Sequence, residues 1–255
     1  MKYRKNKPAI VVLAAGAGKR MKSSKAKVLH DILGIPMVLY VVKTAQKVAG
    51  KNVILVVGNQ AEAVRKVVSE QYDVIFSLQK EQLGTGHAVS CALPYIPEST
   101  QHVIVLCGDV PLLTPGTIHR LLDDHITAKR DITILATEID DPKGYGRILM
   151  DKERNVTGIV EETDATDKQK EIKIINTGIY CLKKEVLFDS LQKITPNNVQ
   201  GEYYLTDIIE ISYNEQKIVG AVIEKDFEEF VGVNSHNDLM IVANIMRKRQ
   251  RPDIS

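Results

Sequence analysis

The sequence predicts an α/β protein built on a mostly parallel sheet flanked by helices, and three observations carry that expectation. Short apolar runs rich in β-branched residues recur at 9–14, 53–57, 73–77, 102–107 and 131–137. Amphipathic stretches at 37–49, 61–71, 87–93 and 115–128 fill the intervals, and such alternation implies right-handed crossovers and a sheet covered on both faces. The first run also feeds directly into glycines and cations, where open sheets of this kind bind ligands beyond the carboxyl ends of their strands.

That first junction reads Val11-Val12-Leu13-Ala14-Ala15-Gly16-Ala17-Gly18-Lys19-Arg20-Met21, with Lys27 a few residues on. Gly16 and Gly18 would let the main chain take positive φ and turn N–H groups toward phosphate oxygens, while Lys19, Arg20 and Lys27 offer positive charge. Neither common phosphate loop fits. Met21 stands where a dinucleotide fingerprint needs its third glycine, and the Walker spacing of glycines and Ser/Thr is missing. The basic head 1–7 followed by an apolar run looks superficially like a secretory signal. The run 9–15 is short for that purpose, and Cys91, Cys107 and Cys181 are odd in number without disulfide or metal spacing, so the expectation is a cytoplasmic protein.

The chain has 255 residues, 44% hydrophobic and 26% charged, enough for a sizeable core. Its net charge of +2 provides no global field for nucleic acid or an anionic membrane, so any anion site must be local. Tryptophan is absent and aromatics are 5%, which argues against base-stacking platforms. No apolar run is long enough to span a bilayer.

Further along, Cys107-Gly108-Asp109-Val110-Pro111-Leu112 places a carboxylate straight after a buried strand. A carboxylate there serves either as a cap or as a hard oxygen ligand for Mg²⁺ beside substrate phosphates. Asn234, after a strand-like stretch at 229–233, would add a second oxygen. Beyond about residue 140 the pattern changes: 144–148 and 155–161 read as a hairpin, followed by a polar loop and a strand near 174–182. This segment predicts an antiparallel lobe facing the sheet edge. Residues 203–213 read as helix, 218–223 as strand, and 238–249 as a final helix with Leu239, Val242, Ile245 and Met246 apolar. The basic run 247–251 reads as a solvated helix end favoured by the macrodipole, not as a nucleic-acid site.

In order, the Leu13–Met21 loop with Lys27, Gln79-Lys80-Glu81-Gln82-Leu83-Gly84-Thr85-Gly86-His87-Ala88, Gly108–Leu112, Gly144-Tyr145-Gly146-Arg147-Ile148, Gly158–Glu161, Asn176-Thr177-Gly178 and Gln200-Gly201-Glu202-Tyr203-Tyr204-Leu205-Thr206-Asp207 resemble the motifs of the sugar-1-phosphate nucleotidyltransferases. The likeness extends to the uridylyltransferase domain of bacterial UDP-N-acetylglucosamine pyrophosphorylases. The resemblance implies a Rossmann-like fold with an antiparallel sugar-binding lobe, a nucleotidyltransferase domain over 1–236, and a C-terminal helix and basic tail over 237–255. It implies Mg²⁺-dependent transfer of UMP from UTP to N-acetylglucosamine-1-phosphate, giving UDP-N-acetylglucosamine and pyrophosphate for cell-envelope precursor synthesis.

By the same resemblance Arg20 and Lys27 are the catalytic cations, and Asp109 and Asn234 hold the metal. Leu13, Ala14, Ala15, Gly16, Lys27, Gln79, Gly84, Thr85, Cys107, Gly108 and Asp109 bind the nucleotide. Gly146, Glu161, Asn176, Tyr204, Thr206 and Asn234 surround the sugar. Of the six histidines only His87 lies in a motif, where it reads as packing or orienting its loop and not as a metal ligand. Two positions depart from the family: Ala26 replaces the usual proline before the lysine, and Cys107 the common tyrosine. The chain lacks the left-handed β-helix acetyltransferase domain of many relatives, so acetylation is not expected and the oligomeric state is open. Competing readings are a transferase for another sugar phosphate such as glucose-1-phosphate, and a regulator that binds nucleotide sugar without turnover.

Overall fold

The computed structural model describes residues 7–21 and 23–250. In chain order it contains β1 (Ala9–Ala14), the short pair β2 (Asp31–Ile32) and β3 (Ile35–Pro36), α1 (Met37–Ala49), β4 (Val53–Val57), α2 (Ala61–Ser69), β5 (Ile75–Leu78) and α3 (Thr85–Ala92). There follow β6 (His102–Cys107), α4 (Pro115–Thr127), β7 (Ile132–Glu138), β8 (Arg147–Met150), β9 (Val156–Val160), α5 (Asp167–Lys170), β10 (Ile174–Lys183), α6 (Lys184–Leu191), α7 (Asp207–Asn214), β11 (Val219–Glu224) and α8 (His236–Gln250).

The main sheet runs β11-β7-β10-β6-β1-β4-β5, with the β8–β9 hairpin joined to β10. β1 pairs in parallel with β4 and β6, β4 with β5, and β11 with β7. The predicted α/β sheet is therefore present, and β1, α1, β4 and β6 occupy the spans their apolar runs marked. Each central strand is buried on both sides. Ile10, Val12 and Ala14 face one core with α1, α2 and α4, while Ala9 and Val11 face another with α3, α6 and α7. α8 closes a third, smaller core in which Val242, Ile245 and Met246 meet Ile32, Met37, Leu112 and Val233. Residues 251–255 of the basic tail, and 1–6 of the basic head, lie outside the described residues.

Three local expectations are corrected. The strand expected near 174–182 is not confined to a lobe: β10 threads the main sheet antiparallel between β6 and β7 and also takes β8. It can do both because Ile179 and Cys181 fill one core and Tyr180 and Leu182 the other. The helix expected over 203–213 begins only at Asp207, since Tyr203 and Leu205 use their backbone groups against the 83–86 loop. The stretch 229–233 is not a strand but the end of a 3₁₀ turn, Phe227–Phe230, capped by Asp226. Its Glu229 side chain accepts from Thr114 N (3.2 Å) and from Thr117 Oγ1 (2.5 Å) at the start of α4, which draws the turn to the main domain instead of a sheet edge.

At the opposite end of β6 lies a histidine pair, His125 buried and His102 partly buried. His102 and His125 stack edge to face at 5.1 Å, and His125 Nδ1 meets Thr133 Oγ1 at 2.9 Å. Burial, then His102, Lys183 and Arg130, push the His125 imidazole down from its usual 6.5 to about 4. The unfolded chain therefore takes up a proton near pH 6.5 that the native state refuses until about pH 4, so this residue removes stability as the pH falls through that window. Urea unfolding at pH 8 and pH 4.5 is expected to show the native protein losing roughly 2–3 kcal/mol more than a His125→Asn variant. Parallel losses in the two proteins would show that His125 carries no such linkage.

Candidate functional site

The site forms where β1 and β6 end side by side. Leu13 is in register with Cys107, and Gly108 N–H donates to Leu13 O at 2.9 Å. A Cβ on Gly108 would lie 2.8 Å from that oxygen, so only glycine allows this approach. Past Ala14 and Ala15, both buried, the chain turns outward through Gly16, which is exposed with open space where a side chain would project. Of the two glycines expected at positive φ, only Gly18 is there, at +62°. Its missing Cβ matters as well, because one would sit 2.6 Å from Lys27 Cβ. Gly18 thus lets the lysine loop fold back over the glycine turn.

That return brings the predicted cations onto the predicted oxygen ligands. Lys27 Nζ pairs with Asp109 Oδ2 and donates to Asn234 Oδ1 at 3.2 Å, while Arg20 Nη2 donates to the same Asn234 oxygen at 2.9 Å. Lys27 and Asp109 are mostly buried, with side-chain exposures of 16% and 17%, so the pair is less screened than a surface bridge. Asn234 reaches Asp109 from far along the chain through one backbone bond, Val233 N–H to Asp109 O at 2.9 Å. Asp238 fixes its loop by accepting from the N–H groups of Asn234 (2.9 Å) and Ser235 (2.8 Å). The side chain of Lys19 lies outside the described residues.

A carboxylate and an amide oxygen that already share one ammonium group form a cation-accepting pair of hard oxygens. This donor set suits Mg²⁺, which binds one or two protein oxygens and completes its shell with water and phosphate.

On the other flank of β1 the 79–88 segment is cross-linked, with Gln79, Gly86 and Ala88 buried and Lys80–Leu83 exposed. Gln79 is 3% exposed, and its Nε2 donates to Gly84 O (3.0 Å) and to His87 Nδ1 (3.2 Å). His87 thus orients Gln79, as expected of its loop, with Cys91 Sγ 3.7 Å from its other nitrogen. Both Gln79 amide hydrogens are committed, so an acceptor oxygen is what this side chain has left to offer. Gly84, at φ +113°, lies against the Tyr203 backbone, where a Cβ would come within 2.6 Å of Tyr203 O. Tyr203 N–H bonds Leu83 O and Gly86 N–H bonds Tyr203 O, each at 2.8 Å, and Thr85 Oγ1 accepts from Leu205 N at 3.0 Å. The 79–88 and 200–207 motifs are therefore one stitched unit.

The β8–β9 hairpin and β10 carry the third group. Glu161 Oε1 accepts from Thr206 Oγ1 at 3.0 Å, and Tyr204 donates to Asp164 at 3.4 Å. Asn176 N–H bonds Gly146 O (2.9 Å), its Nδ2 donates to Tyr180 OH (2.7 Å), and its Oδ1 accepts from Gly178 N (3.0 Å). Glu161 faces Gly146, with Oε2 3.3 Å from where a Cβ would stand, so a side chain there would fill the space between them. Burial raises the Glu161 carboxyl above its usual range, with the Thr206 bond opposing and Asp164 adding to the effect. Burial, then Glu161, Glu210 and Asp164, lift Asp207 to about 6.

Cys107 joins the two ends. Its thiol, pushed by burial up to about 12, donates to Gly178 O at 3.4 Å and lies within the fields of Asp109, Lys27 and Glu161. Sequence reasoning missed three supporting residues. Arg147, 1% exposed, pairs with Glu162 at 2.7 Å and donates to Tyr145 O, which fixes the Gly144–Gly146 turn. Tyr180 holds Asn176, and Gln60 holds the loop before Lys27. A buried arginine directly after a glycine turn was a visible signal for the first; nothing local marked the other two.

Known proteins resemble the chain along most of its length. The chain is 46% identical over 239 residues to the bifunctional protein GlmU of Caldanaerobacter subterraneus subsp. tengcongensis, covering 94% of this chain and 51% of that protein. It is 45% identical over 246 residues to GlmU of Heliobacterium modesticaldum, covering 96% and 53% respectively. The chain thus spans about half the length of the curated relatives it matches. Among solved structures, HddC from Yersinia pseudotuberculosis superposes with a TM-score of 0.70 at 23% identity, over 94% of this chain and 99% of that one, and so shares the fold. A second HddC structure, complexed with GMP-PN, matches equally well at 22% identity. The family model described as nucleotidyl transferase matches residues 9–244, and the chain belongs to that family.

Proposed function

We propose that this protein is an N-acetylglucosamine-1-phosphate uridylyltransferase: UTP and the sugar phosphate give UDP-N-acetylglucosamine and pyrophosphate. The observation that carries the reading is the convergence of Arg20, Lys27, Asp109 and Asn234 at the end of β1 and β6. The likeness to the GlmU proteins over nearly the whole chain supports it. In the reaction a phosphate oxygen of the sugar-1-phosphate attacks the α-phosphorus of UTP, the bond to the bridging α–β oxygen breaks, and that oxygen leaves with pyrophosphate. The nucleophile is already ionised near neutral pH, so no general base is needed.

Negative charge grows on the leaving phosphates during the step, and Arg20 and Lys27 meet it in a partly desolvated site where such stabilisation is strong. Exposed main chain at Gly16 admits the triphosphate. Asp109 and Asn234 are the residues that would hold Mg²⁺, which when bound neutralises phosphate oxygens. Gln79 offers its remaining acceptor oxygen, which suits the N3–H donor of uracil and not the N3 acceptor of cytosine. Glu161, already bonded to Thr206, accepts from sugar hydroxyls, and Asn176 is clamped so that its spare amide hydrogen and lone pair point in one fixed direction. Gly146 admits a main-chain contact, and Tyr204 and Thr206 wall the same side. These placements hold two reactants for in-line displacement, which is the larger share of catalysis for phosphoryl transfer.

Pyrophosphate release from UTP with Mg²⁺ and a panel of sugar-1-phosphates tests the assignment. Turnover is expected with N-acetylglucosamine-1-phosphate and at least about tenfold less with glucose-1-phosphate, since a contact to the acetamido group is worth about 1.4 kcal/mol or more. Preference for glucose-1-phosphate would overturn the substrate, and nucleotide binding without release from any sugar would overturn the activity. Asp109→Ala is expected to lower kcat by at least about a hundredfold while leaving the urea midpoint within the range of ordinary surface variants. Retained metal-dependent activity would remove Asp109 from its role. Glu161→Ala is expected to raise KM for the sugar phosphate by roughly tenfold to a hundredfold, the worth of a hydrogen bond to a charged group, with little change for UTP. An unchanged sugar KM would exclude Glu161 from the sugar contact.

A further inference from the structure

Ala26, where the family usually has proline, makes a contact that proline cannot. Its backbone takes φ −53° and ψ 137°, a conformation proline also adopts, yet its N–H donates to Gln60 Oε1 at 3.1 Å. The other end of the same amide, Gln60 Nε2, donates to Ser24 O. Gln60 therefore grips the lysine loop at two points, two residues apart and directly before Lys27. Its own backbone sits at φ 52°, left-handed and unusual for a residue with a side chain, at the entrance to α2. No side-chain capping bond to α2 accompanies that conformation.

The Gln60 turn is itself anchored to the glycine loop. Asn59 N–H bonds Ala15 O at 3.1 Å, and a Cβ on Gly58 would lie 2.9 Å from that same oxygen. The loop after β4 thus touches Ala15 on one side and Ser24 and Ala26 on the other. Downstream of the grip, Lys27 opens a 3₁₀ turn whose Val28 and Leu29 are buried in the main core together with Ala26. Packing holds the loop at Met21 and at Ala26–Leu29, and the Gln60 amide ties Ser24 and Ala26 to the loop after β4.

We propose that Gln60 is a positioning residue for the transfer reaction, holding the loop so that Lys27 reaches Asp109 and the nucleotide phosphates, in place of the rigidity proline gives elsewhere. The inference rests on the reading of Lys27 as a phosphate-binding cation. A displacement of about 1 Å in such a group lowers turnover by up to about a hundredfold without removing substrate binding. Proline at position 26 would fix φ, but its ring would occupy the place of the N–H and press on the Gln60 amide. The two solutions are alternatives, and each interferes with the other.

Four proteins test this: the native chain, Gln60→Ala, Ala26→Pro, and the double variant. In the native protein the Ala26 amide is expected to be protected from hydrogen exchange, and in Gln60→Ala that protection is expected to fall at least tenfold while α1 and β4 amides are unchanged. Gln60→Ala is expected to lower kcat for pyrophosphate release by roughly fivefold to twentyfold, with the sugar-phosphate KM unaltered. The double variant is expected to recover most of that kcat, and Ala26→Pro alone to do worse than the double, a coupling that general loss of stability does not produce. Unchanged Ala26 exchange in Gln60→Ala would overturn the grip. Altered exchange without any change of kcat, or a double variant no better than Gln60→Ala, would overturn its role in positioning Lys27. If the native protein releases no pyrophosphate, the proposed function fails and the positioning role with it, while the exchange result still decides whether the grip exists.

Discussion

The parallel pairing of β1 with β6 is the constraint from which the site follows. Both strands are buried on both faces, with Ile10–Val12 and Val103–Leu106 fully inaccessible. Any shift of register would break ladder bonds in a region where no water replaces them. That register sets Leu13 beside Cys107 and lets Gly108 close onto Leu13 O. The glycine turn and Asp109 must then emerge from the sheet next to one another. The groups that gather on Asp109 are hung from this edge: Lys27 by folding back across Gly18, and Asn234 by the bond from Val233 to Asp109 O.

The charge distribution follows the same division. Cations and hard oxygens gather at the β1–β6 edge, while Glu161, Asp164, Asp207 and Glu210 gather around the hairpin and the start of α7. Carboxylate acceptors suit hydroxyl donors, whereas phosphates need donors and positive charge, so the two groups are complementary to different ligand chemistries. The acidic side is costly: burial and mutual repulsion raise Glu161 and Asp207, which means their ionised forms are disfavoured in the native state. The ladder between 83–86 and 203–205 ties the 79–88 segment to the 200–207 segment, whose Thr206 bonds Glu161. Movement of one without the other would break backbone bonds.

Most of the central sheet was legible because burial on both faces produces unbroken apolar runs, and such runs mark their own ends. The candidate ligands were legible through motifs, and the structure brings Arg20, Lys27, Asp109 and Asn234 together and places Glu161, Asn176, Thr206 and Gly146 in a second group. What was not legible depends on partners distant in sequence. The place of β10 between β6 and β7 is decided by which strands need a neighbour, not by its own composition. The 227–230 turn has strand-like residues, but Glu229 is drawn to the N-terminus of α4. Gly16 and Gly18 look alike, and only the return of Lys27 over Gly18 tells them apart. Tyr180 and Gln60 are ordinary residues made important by one contact and by two contacts respectively.

The departures read in the sequence at Ala26 and Cys107 have the same physical form. At Ala26 a missing ring is answered by an amide side chain that uses the freed N–H. At Cys107 a small side chain is answered by Gly178, which sits at φ +76° and would place a Cβ 2.7 Å from the sulfur. A larger residue at either of these two positions would have to displace the other, so the pair is coupled across β6 and β10. Desolvation pushes the thiol up to about 12, and its bond to Gly178 O fixes the turn that also presents its N–H to Asn176. Cys107 therefore links the β1–β6 edge to Asn176 through Gly178. Each departure is local in sequence and compensated in space, which is why neither disturbs the convergence of Lys27 and Asn234 on Asp109.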